Sequence, residues 1–315
     1  MTIKHYTKLL ILSLLFIFSL TSCQVAETDV EQQEEPQSAE ISPEKTLTLG
    51  DVSGSAAWTI EHFQPLADYL AENLSEFGIT HGKVIVTSDL PSMLDHLETG
   101  QVDLYFDSPF PALEVYEQIG AQPLARRWKG GVSEYYSLIV VHKDSGITDL
   151  EGLIGQVLAF DHPASTSGYL LPKAHLVING YETTELDEVS GTVSPSAIGY
   201  AFAFGEENQA LWLLDGKVAG AAFSNGDFND MSEEQREQLV ILAQTPSVPR
   251  HIALSRPGMG NEMREKITTL LLELHITVEG QKVLEAFEGT SRFDELPGGV
   301  EGIMNSLREL FAPVR

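Results

Sequence analysis

A single cysteine, Cys23, among 315 residues excludes a disulfide framework and any cysteine-rich zinc site. Cations are scarce: 19 Lys plus Arg stand against 46 Asp plus Glu, a formal charge of −27. A nucleic-acid partner needs a positive surface that displaces counterions, and this chain offers none. The nine histidines are scattered and form no HExxH pair, so that zinc site is missing and no metal or cofactor is expected. No GxSxG elbow presents a nucleophilic serine, and no repeat at solenoid periods occurs. The nearly unbroken apolar run from Leu9 to Leu20 would make about 18 Å of helix, short of the ~30 Å hydrocarbon core. What remains is 43% apolar and 21% charged, a globular composition with length for roughly two domains.

Lys4 and Lys8 precede the apolar run, and Leu20-Thr21-Ser22-Cys23 closes it. A basic start, a short apolar middle and a small polar exit are the parts of an export signal. The exit resembles the bacterial lipobox, which implies a lipoprotein signal peptide over 1–22 and a lipidated Cys23 as membrane anchor. An ordinary signal or an uncleaved anchor helix are the alternatives. Without residues 1–22 the chain keeps 17 bases and 46 acids, a charge of −29. Residues 24–46 hold seven acids, one lysine and two prolines, and almost nothing large and apolar. Such a segment cannot offset its ordering entropy by burial, so 23–46 is expected as a disordered acidic tether, with folding from Leu47.

Beyond Leu47, short apolar segments alternate with longer amphipathic ones. Strands are expected at Leu47–Val52, Val84–Ser88, Val102–Asp107, Ser137–His142, Val157–Asp161, Ala219–Ser224 and Leu239–Ala243. Helices are expected at Ile60–Glu76, Leu90–Glu98, Pro111–Gln118, Ser167–Val177, Ser196–Leu214 and Met263–Leu274. The alternation argues for an α/β fold with parallel sheets, and ~270 folded residues favour two lobes over one large sheet. Pro109 and Pro111 suit the first turn of a helix after Asp107-Ser108, and Gly216 suits the stop of a helix ending at Leu214. The two-proline stretch Thr245–Pro249 reads as a loop or a crossover between lobes.

The strongest local signal is Asp161-His162-Pro163-Ala164-Ser165-Thr166-Ser167-Gly168-Tyr169. A strand ends, a proline turns the chain, and three hydroxyls precede a helix, whose start offers unpaired N–H groups and a positive dipole end. Three hydroxyl donors there make a cradle for a tetrahedral oxyanion without a fixed positive charge. Gly168 would let backbone approach a ligand closely. Ser108, opening the helix after Asp107, is a further candidate by the same dipole argument. A plain helix cap is the competing account of such hydroxyls. Arg126-Arg127-Trp128-Lys129 reads as a solvated loop face, His162 as an exposed turn residue, Asn225-Gly226-Asp227 as a turn, and Trp58 and Trp212 as core residues.

In order along the chain, Pro65–Leu70, Gly100–Asp103, Tyr135-Tyr136-Ser137, Asp144–Ile147, Leu150–Leu153, Ser165–Tyr169, Gly216–Val218, Thr245–Pro249 and Val278–Gln281 resemble a known family. It is the PhnD-type periplasmic-binding proteins, which serve phosphonate, phosphite and phosphate importers. The resemblance implies a two-lobed periplasmic-binding-protein fold with a mixed, mostly parallel sheet in each lobe and a ligand cleft between. One lobe would comprise 47–136 and 246–315, the other 137–245. It also implies that Ser165, Thr166 and Ser167 hold phosphorus-bound oxygens and that Tyr135 lines the site. Leu90 stands where many members carry a tyrosine. Glu206 or Glu207 falls where they carry an oxyanion-contacting histidine, and the expected acidic contact falls near Asp227. A carboxylate repels a phosphonate dianion at short range, so Glu206 would point away or receive a cationic part of the ligand.

The resulting expectation is a monomeric, lipid-anchored, extracytoplasmic solute-binding protein of an ABC importer, with a small oxyanion as ligand and a permease as partner, and not an enzyme. A binding module that reports to a sensor kinase, and an exported serine hydrolase using Ser165 or Ser167, are the alternatives.

Overall fold

The computed structural model describes residues 45–315, which fall within one compact unit. The expected leader 1–22, Cys23 and the tether up to residue 44 lie outside the described residues. The last two tether residues belong to the fold, because the first strand begins at Lys45.

The chain first lays down β1 (Lys45–Val52), β2 (Ile79–Thr87), β3 (Leu104–Asp107) and β4 (Gln122–Arg127). It crosses over through the short β5 (Glu134–Tyr135) and builds β6 (Ser137–His142), β7 (Val157–Phe160), β8 (Glu182–Glu185), β9 (Ala197–Phe202), β10 (Gly220–Ser224) and β11 (Leu239–Gln244). It returns through β12 (Val248–Pro249) and ends with β13 (His251–Ser255) and β14 (Phe293–Asp294). One six-stranded sheet has the order β14-β4-β13-β3-β1-β2, the other β11-β6-β10-β7-β9-β8. From the pairings, four of six strands run one way in the first sheet and five of six in the second.

Two of the three reversed strands have a geometric cause. β6 and β13 each follow a crossover, so each enters its sheet from the end at which β11 and β4 leave. The crossovers also pair with one another, antiparallel, Tyr135 opposite Val248 and Glu134 opposite Pro249. Thr245–Pro249 is thus a crossover, as its prolines suggest.

Helices pack on the sheets where apolar residues recur at helical spacing. Phe63, Leu66, Ala67 and Leu70 form the buried face of the Ala56–Glu72 helix against β1 and β2. Gly82 makes that contact possible, since a Cβ there would lie 2.3 Å from the Ala67 backbone. Ile303, Met304, Leu307 and Phe311 form the buried stripe of the C-terminal Gly299–Phe311 helix. That helix packs on both the Pro109–Ile119 and Leu171–Ile178 helices, and its cluster reaches from Tyr105 in one sheet to Phe160 in the other. Among the described residues no helix is long and apolar enough to cross a membrane.

Leu90–Glu98 and Ser137–His142 lie where expected. The expected helix Ser196–Leu214 is instead β9 followed by a Glu206–Leu214 helix. β9, reading Ala-Ile-Gly-Tyr-Ala-Phe, sits between β7 and β8 and is buried almost throughout, so it shows no alternation. A continuous apolar run has no period to separate strand from helix.

Candidate functional site

Two turns meet between the sheets. β3 ends at Asp107, and the Pro109–Ile119 helix starts behind Ser108 with prolines in its first turn. β7 ends at Phe160, and a π-helical turn, Thr166–Leu170, starts behind Ser165 and runs into the Leu171–Ile178 helix. π-turns of this kind concentrate at functional sites. Thr166 Oγ1 donates to Ser108 Oγ at 3.0 Å and accepts from the Phe110 N–H at 3.1 Å. Two helix starts, one from each sheet, therefore meet at the Thr166 side chain.

The expected hydroxyls divide by role. Ser165 is the cap of its turn, its Oγ accepting from the Gly168 N–H at 3.0 Å. Thr166 is buried and makes the contact with Ser108. Ser167 is half-buried, and its carbonyl accepts from Ser137 Oγ at 2.7 Å. The buried Tyr135 faces the Thr166 and Ser167 hydroxyls; burial pushes its phenol up, and those two hydroxyls pull it down in part. Gly168 serves the fold more than a ligand approach. A Cβ there would sit 2.5 Å from the Asp161 Cβ, so glycine lets the turn close on Asp161.

Carboxylates line both sides. Asp107 accepts from the Ser108 N–H at 2.6 Å, from Ser108 Oγ at 3.0 Å and from the Tyr105 phenol. Burial pushes its carboxyl up despite these donors. Asp51, at the end of β1, accepts from Thr59 Oγ1 at 3.1 Å. Burial and then Asp107 push Asp51 up to about 6. On the second sheet, Glu206 opens its helix and is exposed. Desolvation, Asp227 and Asp161 raise its carboxyl. Asp227 is partly occupied, since with Ser224 it forms the capping box of the short Asn225–Asp230 helix, which replaces the expected turn. Asp161 joins the two groups: it neighbours Ser165 on one side and Asp227 on the other, and burial raises its carboxyl.

The basic cluster is not a solvated loop face. Arg127 is 0% exposed, donating from Nη2 to Glu288 Oε2 at 2.8 Å and to the Phe287 carbonyl at 3.0 Å. Burial draws its guanidinium down to about 10. Lys129 Nζ reaches Glu288 Oε1 at 2.8 Å. Burial opposes ionisation of Glu288, yet Arg127 and Lys129 hold its carboxyl below the ordinary range. Arg126 pairs with Asp294 at 2.7 Å and Glu134 at 3.0 Å. The physical reason is β4, whose last residues turn inward beneath the C-terminal segment. Burial and the nearby cations push His251 well below its usual value, so it is neutral. The cations acting on the site's groups are Lys129, just after β4, and Arg250, just before β13, so the absence of fixed positive charge expected from the hydroxyl run does not hold for its surroundings.

Other expected positions move as well. Trp58 is 45% exposed and stacks on His62 at 4.1 Å instead of entering the core. His162 is exposed as expected, with its ring 5.8 Å from that of Phe204. A surface cavity of about 580 Å³ lies at the other end of the second sheet, between His142, Gln156 and Lys217, and none of the expected binding residues lines it. Among the described residues no group of three or more His, Cys, Asp or Glu is arranged to hold a metal ion. Asp51 and Arg250 were not singled out by sequence, and Asp161 and Lys129 entered only as members of the hydroxyl motif and the basic cluster. All but Arg250 sit at or just after the carboxyl ends of strands, where ligands of open α/β sheets bind, and Arg250 immediately precedes β13.

Residues 53–297 match the family described as the periplasmic substrate-binding protein of phosphonate ABC transporters. The chain is 28% identical to the phosphate-import protein PhnD of Mycolicibacterium smegmatis over 255 residues, 76% of this chain and 75% of that one. It is 22% identical to the phosphonates-binding periplasmic protein of Escherichia coli over 250 residues, 77% of this chain and 70% of that one. XAC2383 from Xanthomonas citri superposes with a TM-score of 0.81 in its chloride-bound form, at 28% identity, over 86% of this chain and 98% of that one. Its ATP-bound form superposes with a TM-score of 0.77. The chain belongs to the family of periplasmic substrate-binding proteins of phosphonate ABC transporters.

Proposed function

We propose that the protein is the lipid-anchored, extracytoplasmic binding subunit of an ABC importer, and that it captures a small phosphonate-, phosphite- or phosphate-like oxyanion between its two sheets. The observation that carries this reading is the Thr166 side chain, bonded to Ser108 Oγ and the Phe110 N–H, because it brings two helix starts to one point. Ser108, Thr166, Ser167 and Tyr135 supply the donors around the oxyanion, and Ser165 orders their turn. Glu206 and Asp227, with Asp161, receive a cationic part of the ligand, since burial and then the neighbouring carboxylates raise the carboxyls of Asp161 and Glu206, and an ammonium group relieves both. Phosphate, phosphonates and ATP, which the relatives' names associate with them, share phosphoryl oxygens.

The lobes are 47–136 with 246–315, extended at its start by Lys45 and Thr46 of β1, and 137–245. Sheet membership supports this division, since every strand from β6 to β11 pairs within the second sheet. Lipidation of Cys23 would hold the protein at the membrane beside its permease, with the acidic tether keeping it off the anionic surface. The protein acts as a monomer whose closure around the ligand creates the surface the permease reads.

The test is a thermal-shift and calorimetric panel of phosphate, phosphite, methylphosphonate and 2-aminoethylphosphonate. A ligand at 100-fold over its Kd adds about 2.7 kcal/mol of stability. Thr166→Val combined with Ser167→Ala abolishes the response to the binding member of the panel while the circular dichroism spectrum stays native. Full binding by that double variant would place the oxyanion elsewhere. A panel in which only 2-aminoethylphosphonate binds, and loses affinity in Glu206→Gln, supports the cationic subsite.

A further inference from the structure

One cation beside the hydroxyl run is left without a partner. Arg250 joins β12 to β13, and its backbone N–H bonds the Ser133 carbonyl at 2.8 Å. Its guanidinium lies over the Tyr135 ring, 4.6 Å from the centroid. Tyr135 in turn faces the hydroxyls of Thr166 and Ser167. The neighbouring charges are engaged elsewhere. Arg127 and Lys129 share Glu288, and Asp107 is bonded by Tyr105 and Ser108. Among the described residues Arg250 forms no ion pair and no side-chain hydrogen bond, although it is half-buried. A guanidinium carries five N–H donors in a planar fork that matches two phosphoryl oxygens. Stacking on an aromatic ring holds that fork in place and leaves its edge free.

We propose that Arg250 is the cationic contact of the oxyanion site and makes it select doubly charged over singly charged ligands. The inference rests on the reading of the cleft as an oxyanion site and adds a specificity determinant to it. Hydroxyls and helix N–H groups respond to the ligand's charge only through dipoles, whose field falls off faster with distance than that of a full charge. A fixed positive charge on the same cradle responds to the second negative charge of the ligand. Tyr135 then has a second task, as the platform that aims the guanidinium. Asp51 and Asp107, on the same side, strengthen the need for such a cation, since an anion entering near two carboxylates is otherwise repelled.

The test is isothermal titration of the purified protein with two probes at a pH above the second ionisation of methylphosphonate. One probe is methylphosphonate, a dianion there; the other is its monomethyl ester, a monoanion at every pH used. The wild type prefers methylphosphonate. Arg250→Gln weakens methylphosphonate about 10- to 100-fold and the singly charged ester by roughly the square root of that, about 3- to 10-fold, so the preference for the dianion falls. Arg250→Lys keeps the charge without the planar fork and retains most of the preference, and Arg250→Met is the neutral readout should the glutamine variant not fold. An unchanged ratio in either folded neutral variant overturns the inference. Equal weakening of both probes also overturns it, because that is the signature of a displaced Tyr135 alone. If the wild type binds neither probe nor any other oxyanion, the oxyanion reading itself fails and the inference fails with it. If the wild type binds well and only the ratio is insensitive to Arg250, the oxyanion reading stands alone.

Discussion

Glu288→Gln is expected to be among the most damaging single charge deletions in the molecule. The Glu288 carboxylate, 10% exposed in its side chain, bridges Arg127 at 2.8 Å and Lys129 at 2.8 Å, and the Arg127 side chain is 0% exposed. Removing one member of a buried pair leaves the other charge uncompensated, at a cost of about 3–5 kcal/mol. With an unfolding entropy of about 2 cal/mol/K per residue, about 4 kcal/mol lowers the Tm of the body spanning 45–315 by roughly 7 °C. Calorimetry and urea denaturation at pH 7 measure the loss. The pH dependence supplies a second check. The carboxyl of Glu288 is held below its ordinary value, so its contribution is complete above that ordinary value and is lost as pH falls through the lowered one. The gap between wild type and Glu288→Gln therefore narrows in acid. Replacing both partners, Arg127→Met with Glu288→Gln, restores part of the loss because the fully buried guanidinium is gone and only the partly exposed Lys129 is left without its carboxylate. A loss under about 1 kcal/mol at pH 7, or one of equal size in acid, refutes the reasoning.

Asp51→Asn works in the opposite direction. Asp51 titrates at about 6 against an ordinary 3.8, so its ionised form opposes folding above pH 6 by up to ~3 kcal/mol, and that opposition disappears as pH falls below 4. The variant is more stable than wild type at pH 8 and equal to it in acid; urea midpoints across that range decide the matter. Ser165→Ala removes a helix cap and costs about 1 kcal/mol of stability in denaturant titration, whereas Ser167→Ala costs ligand affinity and little stability. An Ser167→Ala protein that unfolds as readily as Ser165→Ala would show that both hydroxyls are structural.

How much of this could be read from residues alone depended on range. Leu90–Glu98 was legible because Asp89 caps it and Pro91 sits in its first turn, signals contained within three residues. The hydroxyl run announced itself for the same reason, as did the prolines behind Ser108. β9 was not legible, since its burial by β7 and β8 erased any alternation. The C-terminal stripe Ile303, Met304, Leu307 and Phe311 has helical spacing, but its partners are two helices more than 120 residues earlier in the chain. The charged surroundings of the site were the least legible part. Asp51, Asp107, Lys129, Arg250 and Glu288 are single residues drawn from both ends of the chain, and only the sheet order of β1, β3, β4 and β13 assembles them. Arg127 beside Lys129 looks like any basic loop until β4 carries it under the Phe287–Thr290 turn.

The pairing of β5 with β12 has a mechanical consequence. Two separate crossovers could twist independently, but two crossovers stitched edge to edge would bend as one leaf and would restrict the proposed lobes to swinging about a single axle. Tyr135 is on that axle, and Arg250 lies two residues past its partner Val248 on the other crossover. The side chains proposed to feel the cargo would therefore ride on the pivot itself, where a small change of tilt at the cargo is magnified into a large displacement at the outer rims.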